Sequence, residues 1–344
     1  MTEGVPTPRE TADLLEHKAA EATLAAAWDS GRLHHAWLLA GPPGIGKATL
    51  AYRFARHVLS GGAGLAMAPE HPVFRRVAAS GHADLLTVER PVDEKTGAEK
   101  AEIPVDEVRK IPPFLHLTAG EGGWRVVIVD GAEAMSRSAA NAILKVLEEP
   151  PSRALLLLVT HNPGALLPTI RSRCRRLALS PLSDRSVEAL LARFRPELGE
   201  GERAALARLG EGSIGRAVDL VEGGGLGLFQ GLLDLLATLP RLSEAAAHEF
   251  VEVLAKGGPR AFDTAGDLLV WWLGRFSRHL ARRSLPPEIL DGERGLMQRL
   301  STLHSLDRWV ELWENSRRQL AQGDAANLDR KQVMLLTLLA LADA

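Results

Sequence analysis

One cysteine, Cys174, stands alone in 344 residues, so the chain can close no internal disulfide and offers no cysteine cage for zinc. Aromatic residues are scarce at 5% while alanine and leucine abound, a balance that leans towards helix. No charge of one sign dominates: 41 Lys+Arg meet 43 Asp+Glu, for a formal net charge of −2. Nucleic-acid binding by bulk positive charge is thereby excluded, although a local basic patch is not. Long apolar runs are also missing. ALLLLV at 154–159 is far too short to cross a bilayer, so no membrane association is expected. The start, MTEGVPTPRE, lacks a basic region followed by an apolar core, so no signal peptide is expected and a cytoplasmic protein is. What remains is an ordinary soluble composition, 46% hydrophobic and 24% charged, in a chain long enough for two or three domains.

Up to about Pro181 strands and helices alternate, which predicts a parallel α/β sheet. Residues 15–31 read as a helix, HHAWLLAG at 34–41 as a buried strand ending in a glycine turn, and 48–59 as the next helix. The stretch 60–72 reads as loop, 83–90 as a strand, 91–100 as a charged hairpin or loop, and 103–117 as a short capped helix with Asp106 near its start. WRVVIVDGAEAM at 124–135 is the clearest strand, because its unbroken apolar run from Val126 to Val129 suits burial on both faces. A helix over 136–151 with a double-proline stop, a buried strand over 153–163 and a turn at RSRC follow. From Ser183 onward only helices are expected, with GGGLGL at 223–228 as the best linker. Trp271 and Trp272, in the apolar VWWLGRF, read as core or interface and not as base-stacking platforms.

Gly41-Pro42-Pro43-Gly44-Ile45-Gly46-Lys47 fits the phosphate-loop pattern between a strand and a helix. Gly41, Gly44 and Gly46 let backbone amides curl around phosphate oxygens, Lys47 supplies charge, and the helix N-terminus adds its partial positive charge. The plain alternative is a glycine turn with an exposed lysine. After the lysine, where Ser or Thr ligates magnesium, stands Ala48; Thr49 lies one step on, roughly 100° around the helix. Asp130 ends its strand as a magnesium-holding carboxylate does in P-loop enzymes. Gly131 follows, where many ATPases of the AAA+ type have the Glu that polarises water. Glu133, two residues late, reads as a solvated first-turn residue. Both departures strike hydrolysis.

GPPGIGKATLAYRFA, VVIVDGAEAMSRSAANAILKVLEEPP, VTHNPGALLPTIRSRCRRL and GSIGRA, in that order over the first 220 or so residues, resemble the AAA+ clamp-loader subunits of bacterial DNA polymerase III, the delta-prime group in particular. The string from Asn141 to Pro151 is the most specific part. The resemblance implies an AAA+ α/β P-loop domain over 1–181, a small helical lid domain over 182–222 and an all-helical C-terminal collar domain over 223–344. It implies a hetero-oligomer with the other loader subunits, delta and gamma/tau, that loads the sliding clamp on primed DNA during replication as part of the polymerase holoenzyme. Arg173, in Ser172-Arg173-Cys174, takes the place of the family's arginine finger, which acts in trans on a neighbour's nucleotide. The alternative is a solvated arginine in a basic turn. Asn162 takes the sensor-1 place and Arg216, in GSIGRA, the sensor-2 place; ordinary turn and helix residues are the alternatives. The losses at 48 and 131 match delta-prime, which commonly loses hydrolysis and keeps the finger. A non-hydrolysing stator is therefore expected, with a hydrolysing motor subunit as the alternative, and ATP binding that is weak or without turnover. Many relatives insert a four-cysteine zinc module after the phosphate-loop helix. The stretch about 60–82 has no cysteine, and His57, His71 and His82 fit no zinc spacing, so no zinc is expected.

Overall fold

A computed structural model describes residues 5–342 except 94–96, 98, 121–122 and 327. By internal contacts the chain forms two compact units, residues 1–190 with 211–215, and residues 191–210 with 216–344. The expected lid segment, 182–222, is divided between them.

The first unit is built on a parallel sheet of β1 (Ala36–Ala40), β2 (Leu85–Val88), β3 (Arg125–Asp130), β4 (Ala154–Thr160) and β5 (Arg175–Ala178), in the order β2-β3-β4-β1-β5. β1 and β4 are buried at every position and β3 at every position but its last, as their continuous apolar runs require. Side chains alternate between two cores. Trp37, Leu39, Val126, Ile128, Leu155 and Leu157 face helices Lys18–Asp29, Lys47–Leu59 and Pro72–Ala78. Ala36, Leu38, Val127, Val129, Leu156 and Leu158 face the helices between Val105 and Arg171. Each fully buried Leu, Ile or Val contributes roughly 1.5–3 kcal/mol relative to exposure. The register pairs Ala40 with Thr160 and Asp130 with Val159, so three strands deliver their C-terminal ends to one edge of the sheet. In open parallel sheets ligands bind at that edge.

Several expected elements differ. The expected helix over 136–151 is two helices, Arg137–Ala142 and Leu144–Glu148, joined at the fully buried Ile143. Ser136 caps the first by accepting the Ala139 N–H at 3.2 Å. The expected capped helix over 103–117 is also two short helices, Val105–Val108 and Ile111–His116, and Pro104 at its start provides no side-chain cap. A helix not anticipated from sequence, Pro72–Ala78, starts where His71 Nδ1 accepts the Val73 N–H. In the charged 91–100 segment Val92 bridges to Glu99 in antiparallel fashion; 94–96 and 98 lie outside the described residues.

The second unit contains no strand among the described residues. The expected linker at 223–228 is instead the start of a helix, Gly225–Leu236. Leu228, Phe229, Leu232 and Leu233 bury one face of it, and that packing overrides the weak helix propensity of its glycines. Gly225 is required by close approach, since a Cβ there would lie 2.7 Å from the Leu220 side chain. The long helix Pro259–Arg282 is central: Trp272 stacks on Phe276 at 5.2 Å between ring centroids, and Trp309 meets Phe276 edge-on at 4.9 Å. Trp272 is 1% exposed, as a core residue. No described helix is long and apolar enough to cross a membrane.

Candidate nucleotide and arginine-finger site

The loop Gly41–Gly46 leaves β1 and feeds helix Lys47–Leu59, whose N-cap is Gly46. It is braced on two sides. His17, buried, holds the Ile45 carbonyl through Nε2 at 2.7 Å, which makes that nitrogen the protonated one. On the other side Gly215 N–H donates to the Gly44 carbonyl at 3.2 Å, and a Cβ on Gly44 would lie 2.2 Å from Ser213 Oγ. Only a glycine fits there. Lys47 is 6% exposed and its Nζ donates to the Pro42 carbonyl, within its own loop. Burial lowers the Lys47 pKa, against the opposing pull of the Asp130 and Glu133 charges. Ala48 is half-buried and has no hydroxyl; Thr49 is buried.

Asp130 ends β3 beside this loop. Burial raises its pKa, the nearby Glu89 and Glu133 charges add to that, and Lys47 opposes it. A carboxylate whose folded pKa is raised favours folding fully below its unfolded pKa, about 3.9, and loses that contribution as pH rises through the folded value. Asp130→Asn should therefore melt higher than the parent at pH 7. The gap should close as pH falls well below about 3.9, where Asp130 is protonated in both states. Calorimetry of both chains across that range checks this; a pH-independent difference would contradict it.

Glu133 corrects the expectation of a solvated residue. It lies in the 3-10 turn Ala132–Ala134, and its side chain is 9% exposed. Oε1 takes the His161 backbone N–H at 3.3 Å and pairs with His161 Nδ1, while Oε2 is buried with no hydrogen-bond partner. The tight turn folds the side chain back towards Lys47 and Asp130, whose charges it perturbs. Helical periodicity gave no sign of this, because the turn is not α-helical. Gly131 has φ +73°, a left-handed conformation that a Glu adopts only under strain, so the water-polarising position cannot be restored by one substitution at no backbone cost.

Asn162 is exposed at the exit of β4, its backbone N–H on Thr160 Oγ1 at 3.2 Å. Arg173 follows helix Pro168–Arg171 and precedes β5. Its Nη2 meets Glu148 Oε1 at 2.6 Å, its Nη1 donates to the Thr169 carbonyl at 2.9 Å, and the side chain is one-third exposed. Cys174 beside it is buried enough to push its thiol up to about 12, so no thiolate forms at neutral pH. Arg216 belongs to the second unit. Its guanidinium lies 5.7 Å from the Trp271 ring centroid, in a cavity of about 390 Å³ lined also by Asp219, Thr264 and Asp267.

The loop's glycines, buried Lys47 and helix N-terminus fit a phosphate. For a metal the fit is poorer, since Ala48 offers no oxygen. Among the described residues no cluster of three or more His, Cys, Asp or Glu is placed to hold a metal ion. His57, His71 and His82 each accept a nearby backbone N–H through Nδ1.

A parallel sheet with a glycine loop after its first strand and an acidic strand end at the same edge defines a P-loop α/β domain. More narrowly, residues 16–183 match the family described as DNA polymerase III, delta subunit. The chain is 41% identical over 178 residues to the DNA polymerase III subunit delta' of Pseudomonas aeruginosa, covering 51% of this chain and 52% of that one. It is 35% identical over 203 residues to subunit delta' of Escherichia coli, covering 58% of each. A subunit gamma/tau of Mycobacterium bovis is 33% identical over 191 residues, covering 54% of this chain and 31% of that one. The chain thus spans about half the length of these delta' relatives. A solved gamma-subunit-related protein of Thermotoga maritima is 21% identical, covering 94% of this chain and 99% of that one, with a TM-score of 0.42.

Proposed function

We propose that the chain is a delta-prime-type clamp-loader subunit that hydrolyses no ATP itself and donates Arg173 to a neighbouring subunit's nucleotide. The observation that supports this reading most is the contrast within one domain. The domain carries Ala48 where a magnesium ligand belongs and Gly131 where the water-polarising Glu belongs, while Arg173 is kept partly exposed and hydrogen-bonded in an ordered turn. Partners are then the other loader subunits, delta and gamma/tau, with the sliding clamp and primed DNA engaged through the complex. A cytoplasmic location goes with that work. ATP, where it binds, is held by Gly41–Gly46 and Lys47 and is not turned over. Asn162, at the exit of β4, takes part in phosphate sensing, and no zinc takes part.

The purified chain with ATP and magnesium should show no turnover above background. The alternative, a hydrolysing motor subunit, draws support from Glu133, whose buried second oxygen lies within electrostatic reach of Lys47. Robust turnover lost in both Lys47→Ala and Glu133→Gln would establish that alternative and sink the stator reading.

A further inference from the structure

The partner of Arg173 is held as firmly as the arginine itself. Glu148 is the last residue of helix Leu144–Glu148. Val146 and Leu147 just before it are buried, and the Leu147 carbonyl is held by His35 Nε2 at 3.0 Å. Pro150 and Pro151 stop the helix from continuing and fix the direction in which it ends. On the other side of the pair, Ile170 is fully buried and anchors the turn that carries Arg173. The guanidinium is thus stretched between two rigid points, Glu148 Oε1 at 2.6 Å and the Thr169 carbonyl at 2.9 Å, with a marginal contact to Ser172 Oγ at 3.5 Å.

We propose that Glu148 is a positioning residue for Arg173, one that sets the plane of the guanidinium before a neighbour's phosphate arrives; this rests on the reading of Arg173 as a finger. A guanidinium has five N–H donors, and Glu148 and Thr169 take one from each Nη. Donors remain for an incoming anion, and the fork is already ordered when it comes. The pair is half-exposed, at 33% and 49% side-chain exposure, so it is weak. A phosphate is therefore not outcompeted: the carboxylate aims the arginine without trapping it.

The test is a reconstituted clamp loader carrying the parent chain, Glu148→Ala, Glu148→Gln, Arg173→Ala or the double variant Glu148→Ala/Arg173→Ala, with assembly checked by gel filtration. Glu148→Ala should lower kcat for ATP at the interface served by Arg173 by about fivefold, the size expected for a weak ion pair, and leave KM for ATP unchanged. Glu148→Gln, which keeps the shape and loses the charge, should fall between that and the parent. In the Arg173→Ala background the Glu148 change should add nothing, because Glu148 acts through the arginine. Parent-like kcat in Glu148→Ala beside a strong loss in Arg173→Ala would overturn the positioning role and leave the finger standing. A further multiplicative loss in the double variant would overturn it too. A parent-like Arg173→Ala complex would remove the finger reading itself, and this proposal with it.

Discussion

Replacing Arg173 with alanine should lower ATP turnover at the interface it serves by about 10³-fold or more, the scale of arginine-finger contributions in phosphoryl transfer. The free chain should hardly notice. Arg173 is one-third exposed, its ion pair with Glu148 is a surface pair, and such pairs are worth about 0–1 kcal/mol. Assembly should survive for the same reason, since no core residue is touched. DNA-stimulated ATPase and clamp loading should drop sharply, with the remaining ATPase coming from interfaces that take their finger from other subunits. Arg173→Lys should rescue poorly: an ammonium on a flexible stem supplies charge but not the planar fork. Gel filtration first establishes that the complex is intact. Parent-level ATPase and clamp loading by an intact Arg173→Ala complex would then rule out the role in trans.

The phosphate loop also has a packing role that does not depend on turnover. Gly44 is packed against Ser213 and Gly215, and Ile45 is tied to His17, so the loop is part of how this unit holds its segments together. Lys47 has turned to its own loop's Pro42 carbonyl. Losing a magnesium ligand at position 48 disturbs none of these contacts. A change at Gly44 would, because any Cβ there collides with Ser213.

The sheet was legible because burial on both faces leaves unbroken apolar runs, and Val126–Val129 and Leu155–Val159 carry no other message. The phosphate loop was legible because glycine spacing and flanking elements agree. Glu133 was not. Its position depends on a 3-10 turn after a left-handed glycine, and neither the 2-residue nor the 3.6-residue period describes that path. The 223–228 stretch failed for the opposite reason. Its glycines read as breaks, but Gly225 is there to let two helices touch at Leu220, a tertiary demand that local propensity cannot express. The division at Ile143 was hidden in the same way, since a buried isoleucine looks helical wherever it stands. Arg173 and Glu148 lie 25 positions apart, so no spacing rule pairs them.

Glu293→Ala should destabilise the second unit by about 3–5 kcal/mol, the cost of removing one partner from a buried charge pair. Glu293 opens helix Glu293–Leu300 and is 1% exposed. One oxygen accepts the Trp272 indole N–H at 3.0 Å and meets the Arg275 guanidinium; the other accepts the Ile289 backbone N–H at 2.8 Å. Three donors from two elements thus converge on one carboxylate inside a helical core. Alanine would leave the Trp272 and Ile289 donors buried without this acceptor, and would take one acceptor from Arg275, which also donates to the Pro287 carbonyl. Glu293→Gln should cost less, because an amide oxygen still accepts, but its NH₂ would face a donor where the carboxylate presented an oxygen. Trp272→Phe removes one donor and leaves the charge pair, so it should be the mildest of the three. The chain has two units, so unfolding is followed by tryptophan fluorescence and by calorimetry together, with no two-state fit imposed. The expected order of loss is Glu293→Ala, then Glu293→Gln, then Trp272→Phe. A Glu293→Ala chain that melts with the parent would mean that the carboxylate is not what holds Trp272, Arg275 and the 289 turn together.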